Sequence, residues 1–505
     1  MVYPVIILSL ISEDNFINFY NIHNKYETVI GLEIHAQLLT ESKMFCYCSN
    51  KFGAKPNTNI CPVCTGQPGV LPVTNKKAIE LAIKTAIALN CKIEPRSVFA
   101  RKHYFYPDLP KNFQISQYEL PLATKGYLEI EVDGKAKKIG ITRVHLEEDA
   151  GKLVHKGAAR IMGSEESLVD YNRTGTPLME IVSEPDIRSP KEAAIYTEAL
   201  ANLLRYILVC DAKMEEGSLR CDANLSIRPA GEKKLGVKTE VKNMNSFRAI
   251  EKALQAEEKR HNEVAEEGGR IVQETRFFDD VTETTTGMRS KEYAHDYRYF
   301  PEPDLVPIEP SREWIEEIKK TIGELPWQRK SRFVSDYKIS PDIATILIAD
   351  KVMANFLEET VKLANKPGII ANWLVGDITA YLNENKKTFE SLDLTPAQLA
   401  EILQLIDDGK LSGKMAKEVL FTVLKTGKQV KDVIAESGMT QISDESELIK
   451  IIQEVIRNNP KQVEQFKAGK ETVMTFLVGQ VMKVSKGKAN PGVANKLLTK
   501  VLAES

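Results

Sequence analysis

A chain of 505 residues that is 43% hydrophobic and 27% charged can bury a large core and, by the usual domain size, divides into roughly two to four domains. Sixty-eight Lys and Arg against seventy Asp and Glu leave a formal charge of -2, which excludes a protein that coats nucleic acid by bulk electrostatics and confines any such site to a local patch. Seven cysteines, four of them crowded between positions 46 and 64, exclude a secreted disulfide framework and fit a reduced, cytoplasmic setting.

Residues 1–24 open on the apolar run Val5-Ile6-Ile7-Leu8-Ser9-Leu10-Ile11, well short of the roughly 18 to 20 residues that span a bilayer. Having no Arg and carrying Glu13 and Asp14, the segment lacks the basic region of a targeting peptide and reads as a loosely attached extension. From Tyr26 to about Pro310, short β-rich runs mix with a few helices, the pattern of an α+β domain. In the first run, Val29-Ile30-Gly31-Leu32-Glu33-Ile34-His35, the spacing of Glu33 and His35 puts both on one face of a strand.

Cys46-x-Cys48 is followed after twelve residues by Cys61-x-x-Cys64, with Pro62 and Gly66 forming a tight turn around the second pair. Four thiolates suit tetrahedral Zn²⁺ at about 2.3 Å and leave no open position for catalysis; four unmetallated thiols in a loop are the alternative. Residues 102–108 and 296–301 interleave aromatic and basic side chains, which serve either to stack on bases or a ribose-adenine unit, or to pack beside a proline turn. Tyr127-Leu128-Glu129-Ile130-Glu131-Val132 followed by Asp133-Gly134 predicts a hairpin.

The acidic stretches His145-Leu146-Glu147-Glu148-Asp149 and Pro177-Leu178-Met179-Glu180 would suit Mg²⁺ or Mn²⁺ beside one imidazole, although each carboxylate taken singly reads rather as a solvated or salt-bridged surface group. Ser189-Pro190-Lys191-Glu192 predicts a capped helix start. The nearest approach to a phosphate-binding loop, Gly231 through Gly236-Val237-Lys238-Thr239, has one residue too many before its Lys, so bound ATP requires another architecture. From about Trp314 the apolar spacing turns helical, and a last unit starts at Thr395-Pro396. In the final forty residues Lys467, Lys470, Lys483, Lys486, Lys488, Lys496 and Lys500 oppose Glu471 and Glu504, a basic patch for phosphates or a solvated lysine face.

The first strand, the 143–152 segment, and segments 172–181, 213–224, 296–301 and 476–480 together resemble the B-subunit family of glutamyl/aspartyl-tRNA amidotransferases, in order and over nearly everything from Tyr26 onward. The resemblance implies a cradle-shaped, kinase-like α+β domain over residues 25–313 with a zinc-knuckle insertion at 45–66. A helical connector at 314–394 and a small YqeY-like, tRNA-binding helical tail at 395–505 would follow, while residues 1–24 have no counterpart. It further implies ATP-dependent phosphorylation of the side-chain carboxylate of Glu on tRNA(Gln) or Asp on tRNA(Asn), followed by amidation.

On this resemblance His35, Glu148 and Glu180 ligate Mg²⁺ with Glu33 beside it, and Lys213, Glu216, Arg220, Asp222 and Asn224 line the nucleotide pocket. Cys46, Cys48, Cys61 and Cys64 hold structural Zn²⁺, and Lys483, Lys486 and Lys488 touch tRNA. The implied partners are the family's glutaminase, its A chain, together with its small C chain. The rival readings are a zinc-containing tRNA-binding module without ATP chemistry and a metal-dependent hydrolase.

Overall fold

Alternation along strand Tyr26–Gln37 sets the architecture of the first unit: Ile30, Leu32, Ile34 and Ala36 are buried, while Gly31, Glu33, His35 and Gln37 point the other way and are only partly covered. The computed structural model describes residues 25–156, 165–288, 296–437, 445–468, 470, 472–485, 489 and 491–504. Within it this strand is the centre of a nine-stranded sheet. From one edge the order is Thr284–Gly287, Thr275–Asp279, Thr239–Lys242, Leu219–Pro229, Tyr26–Gln37, Pro177–Ser183, Lys135–Glu148, Ala123–Val132 and Lys92–Ile93. Every pairing is antiparallel except Thr239–Lys242 with Thr275–Asp279.

Helices Lys76–Ala88, Pro190–Tyr206 and Phe247–Glu266 contribute Ile83, Tyr196, Leu200, Ile250 and Leu254 to the same core as the buried strand residues. Ser189 caps the second of these as expected, its Oγ accepting the Glu192 N–H at 3.2 Å. The Glu192 carboxylate, however, accepts from Arg188 N at 2.7 Å and not from Ser189, so half of the expected capping box forms. The Asp133-Gly134 hairpin is present, with Val132 paired to Lys135 and both turn residues left-handed at φ 49 and 76. A three-stranded sheet of Phe300–Pro301, Ala100–His103 and Phe113–Ser116 joins the two aromatic segments.

The chain divides into two units, Met1–Leu325 and Pro326–Ser505. Helix Arg312–Lys320 belongs to the first, because Ile318 and Ile322 are buried in its core and Trp314 packs against it. The boundary expected at 313/314 therefore lies inside that unit. The second unit is helical. One core takes in Phe333, Leu347, Leu357, Leu374, Leu399, Val419, Leu420 and Val433, and a smaller one takes in Leu448, Ile452, Leu477, Val481 and Leu498. Thr395 does start a helix, with a complete capping box to Gln398, yet that helix, Pro396–Asp407, is part of the larger core. The tail expected from 395 is thus continuous with the helices before it as far as helix Val430–Ser437. Among the described residues no helix is long and apolar enough to cross a membrane. Residues 1–24, Lys486 and Lys488 lie outside the described residues.

Candidate active site

The open face of the central strand carries a cluster of acidic and imidazole side chains. His35 stands directly opposite Glu180 on one side and Arg220 on the other, and Glu180 in turn stands opposite His145. Antiparallel partners have their Cβ atoms about 5 Å apart, so the register alone lines these side chains up across the sheet. His35 Nε2 lies 3.2 Å from Glu180 Oε2 and 3.7 Å from Glu147 Oε1, and His145 Nε2 lies 3.4 Å from Glu180 and 3.8 Å from Glu147. Glu147, Glu180 and His145 are only 3%, 7% and 2% exposed.

Burial opposes the ionisation of Glu180 and Glu147, but the two imidazoles outweigh it and hold both carboxyls below the usual range. Burial likewise works against a charge on His35, and the carboxylates reverse it, raising that imidazole above its ordinary value. Two buried anions therefore rest against an imidazole whose basicity they raise. Donor atoms of His35, Glu147 and Glu180 all lie within 4.8 Å of one another, which fits a hard divalent cation whose octahedral ligands at about 2.1 Å stand about 3 to 4 Å apart. Arg143 Nε and His145 Nδ1 are buried without a hydrogen-bond partner among the described residues, so the floor of the site retains unused polar capacity.

Glu148 does not join this group. It shares strand parity with Leu146, and its Oε1 accepts from Ile115 N at 3.0 Å and pairs with Lys111. It lines a separate cavity of about 170 Å³ together with Lys111, Arg101, Phe45 and Cys64. The third member of the trio is Glu147, and the same period of two that placed Glu33 with His35 also groups His145, Glu147 and Asp149.

Glu33 lies beside the cluster, accepting from Asn224 Nδ2 at 3.0 Å, with Asp222 directly across the strand pair. Asp222 pairs with Lys242, a residue that sequence reasoning missed. Arg220 binds Asp149 at 3.0 Å, and Gln37 Nε2 donates to the same carboxylate at 3.0 Å. Lys213 and Glu216 pair with each other at 3.0 Å in an exposed turn before the strand. Arg220, Asp222 and Asn224 thus stand on the strand next to the cluster, whereas Lys213 and Glu216 precede it. Lys483 is exposed in the last turn of helix Val473–Val484.

The sulfurs of Cys46, Cys48, Cys61 and Cys64 also lie within 4.8 Å of one another, and four sulfurs on a zinc at about 2.3 Å stand about 3.8 Å apart, so the set fits. Cys61 N donates to Cys64 Sγ at 3.2 Å, and the buried Lys43 Nζ is 3.6 Å from that sulfur. The bond from Cys46 pulls the Cys64 thiol down to about 4, while burial pushes Cys48 up to about 11. Gly66 is left-handed at φ 69, and the Lys111 side chain occupies the place a Cβ would take.

Comparison with known proteins gives one answer. The GatB/GatE catalytic domain matches residues 28–316 and the GatB domain matches 355–502. The B subunit of the aspartyl/glutamyl-tRNA(Asn/Gln) amidotransferase from Thermodesulfovibrio yellowstonii is 56% identical over 480 residues, covering 95% of this chain and 100% of that protein. The proteins of the same name from Carboxydothermus hydrogenoformans and Geotalea daltonii are 53% and 50% identical, each covering 95% of this chain and 99% of the relative. A match of this length and identity, over a sheet whose open face holds a buried acid-imidazole cluster, places the chain in the B-subunit family of tRNA-dependent amidotransferases.

Proposed function

We propose that this chain uses ATP to activate the side-chain carboxylate of Glu on tRNA(Gln), Asp on tRNA(Asn), or both, so that ammonia can convert it to the amide. The observation that carries the proposal is the buried trio His35, Glu147 and Glu180 on the open face of the central strand. A carboxylate is a poor acyl donor because its leaving group would be oxide. Transfer of the γ-phosphoryl group of ATP to that oxygen, with ADP leaving, gives an acyl phosphate. Ammonia then attacks the carbonyl carbon, the C–O bond to phosphate breaks, and inorganic phosphate departs as the amide forms.

The α+β unit that ends at Leu325 is the cradle that holds this site. His35, Glu147 and Glu180 are the residues that would hold Mg²⁺, with Glu33 beside them. Bound there, the cation neutralises charge on the transferring phosphoryl group. Arg220, Asp222 and Asn224, on the neighbouring strand with Lys242 behind them, face the nucleotide, and Lys213 and Glu216 guard the turn that leads into that strand. The reaction needs a site that excludes water, because its intermediate hydrolyses readily, and Glu147 and Glu180 are themselves buried.

Cys46, Cys48, Cys61 and Cys64 hold a structural Zn²⁺ that shapes the 45–66 insertion. Lys483, with Lys486 and Lys488, binds tRNA phosphates from the tail. The glutaminase A chain supplies ammonia, and the small C chain completes a cytoplasmic heterotrimer. The test is reconstitution with those two partners, glutamine, ATP and each mischarged tRNA, followed by identification of the esterified amino acid. Amide on the tRNA only when ATP is present is the expected result, and amidation without ATP would refute the proposal.

A further inference from the structure

The two aromatic segments meet beside the acid cluster, and neither is absorbed by the chemistry above. Strand Phe300–Pro301 pairs with Ala100–His103, His103 N donates to Tyr297 O at 2.9 Å, and His103 Nδ1 lies 3.2 Å from Arg298 O. Between the two tyrosines, Arg298 adopts left-handed backbone at φ 46, pinned by Asp296 Oδ1, which accepts its N–H at 2.9 Å. A non-glycine residue held there costs free energy, and it fixes the directions in which Tyr297 and Tyr299 leave the chain.

Tyr299 stacks on Tyr118 with centroids 4.3 Å apart and planes 6° from parallel. Tyr297 stands edge-on to Tyr299 and to Tyr104, each at 6.1 Å, and Lys102 Nζ is 5.0 Å from the Tyr297 ring centre. This is not core packing, because Tyr118 at the outer end of the stack remains 48% exposed. Two residues before Tyr118, at the end of strand Phe113–Ser116, Ser116 Oγ donates to Glu147 Oε2 at 3.0 Å, which sets the stack beside the acid cluster. Burial together with the charges of Glu147 and Glu180 raises the Tyr299 phenol, and burial with Glu147 raises Tyr104, so both hydroxyls remain protonated.

The other flank of the cluster is different in kind. A polar cavity of about 210 Å³ there is lined by Glu33, Asn224, Lys238, Glu240, Gln273 and Glu274, without an aromatic ring. An ordered pair of rings, open at one end and carried two residues beyond Ser116, whose Oγ donates to Glu147 Oε2, is a stacking platform for a flat base.

We infer that the Tyr118–Tyr299 stack, backed by Tyr297 and Tyr104, seats the base of the 3′-terminal adenosine of tRNA, the nucleoside whose ribose carries the esterified Glu or Asp. The inference rests on the reading that this side chain is activated at His35, Glu147 and Glu180. The side-chain carboxylate is small and changes in the reaction, so affinity that positions it is best drawn from a part of the substrate that does not react. Stacking supplies it without reading sequence, which suits a nucleoside common to all tRNA ends. The ester then projects the side chain inward past Tyr299.

The experiment measures the affinity of the chain, assembled with its two partners, for uncharged tRNA with and without the terminal adenosine, and the KM for ATP in amidation. Tyr118→Ala should weaken binding of intact tRNA about ten- to hundred-fold, the range one lost base stack gives, with the ATP KM within about two-fold. Tyr118→Trp should restore it. Removing the terminal adenosine should cost the wild type the same factor and cost Tyr118→Ala nothing further. Unchanged tRNA affinity in Tyr118→Ala overturns the inference, as does a rise in ATP KM in its place, which would assign the stack to the base of ATP. ATP-dependent amidation by the wild type separates the two ideas: its absence refutes the activation reading, while the binding arm still decides the platform.

Discussion

Glu147 and Glu148 are adjacent in sequence and serve opposite sides of one strand: Glu147 Oε2 faces His145 Nε2 at 3.8 Å on the open face, while Glu148 pairs with Lys111 and accepts from Ile115 N at 3.0 Å on the other. Substitutions should therefore separate them. Glu147→Gln should weaken Mn²⁺ or Mg²⁺ affinity at least about ten-fold and depress ATP-dependent activation accordingly. Glu148→Gln should leave the cation affinity within about two-fold. Titration with Mn²⁺ followed by paramagnetic relaxation reads both, and equal losses in the two variants would count against the assignment.

The four-cysteine site gives a second prediction. Purified protein should contain one zinc per chain, and Cys61→Ser should release it, because a tetrahedral site that loses one of four thiolates loses much of its affinity. Residues 45–66 should then exchange amide hydrogen faster, since the bonds of the turn around Gly66, among them Gly66 N to Val63 O at 3.1 Å and Gln67 N to Pro62 O at 2.9 Å, are local and do not tie it to Cys46 and Cys48 as the metal would. Elemental analysis showing no zinc, or zinc retained in the variant, refutes it.

A third prediction concerns acid stability. Glu257 is fully buried, which opposes its charge, yet His261 and Arg260 overcome this and hold its carboxyl down at about 2, from an ordinary 4.5. Arg276 at 3.3 Å and Thr285 at 2.8 Å face the same group from the edge strands, and Glu274 shares both arginines. A depressed folded-state value stabilises the fold above the unfolded value, and that stabilisation is lost as pH falls toward 2. Glu257→Gln should cost on the order of 3 kcal/mol at neutral pH. The gap between wild type and variant should shrink by roughly half at pH 3 in urea melts, and a gap independent of pH would rule the mechanism out.

Local chemistry was legible before the fold. Asp133-Gly134 specifies its turn through two left-handed residues, and the period of two puts Glu33 with His35. Applied to 145–149, that period groups His145, Glu147 and Asp149 on one face and leaves Glu148 on the other. What the chain hides is register: nothing local says that His35 faces Glu180 and Arg220, which lie far along the chain. Nor does a capping box at Thr395 reveal whether the helix it starts opens a new core or completes an old one.

That last distinction sets the final prediction. Helices Pro396–Asp407 and Gly413–Thr426 bury Leu399, Leu403, Val419, Leu420 and Val423 in the core that includes Phe333 and Leu357. Ending the chain after Leu394 removes all five, and each large apolar side chain lost from a core costs about 2 to 5 kcal/mol, so that truncation should unfold the helices that remain. Ending it after Ser437 removes only the smaller core of Leu448, Leu477 and Leu498 and should leave the melting transition of the rest in place. The shorter deletion removes the lysines at 483, 486, 488, 496 and 500, whose phosphate contacts release counterions and make affinity fall with salt. It should therefore raise the KM for mischarged tRNA much more than it lowers kcat, and flatten the salt dependence of binding, with Lys483→Ala showing a milder form of both. Unchanged tRNA affinity and salt slope after the Ser437 truncation would show that the basic patch is only a solvated surface.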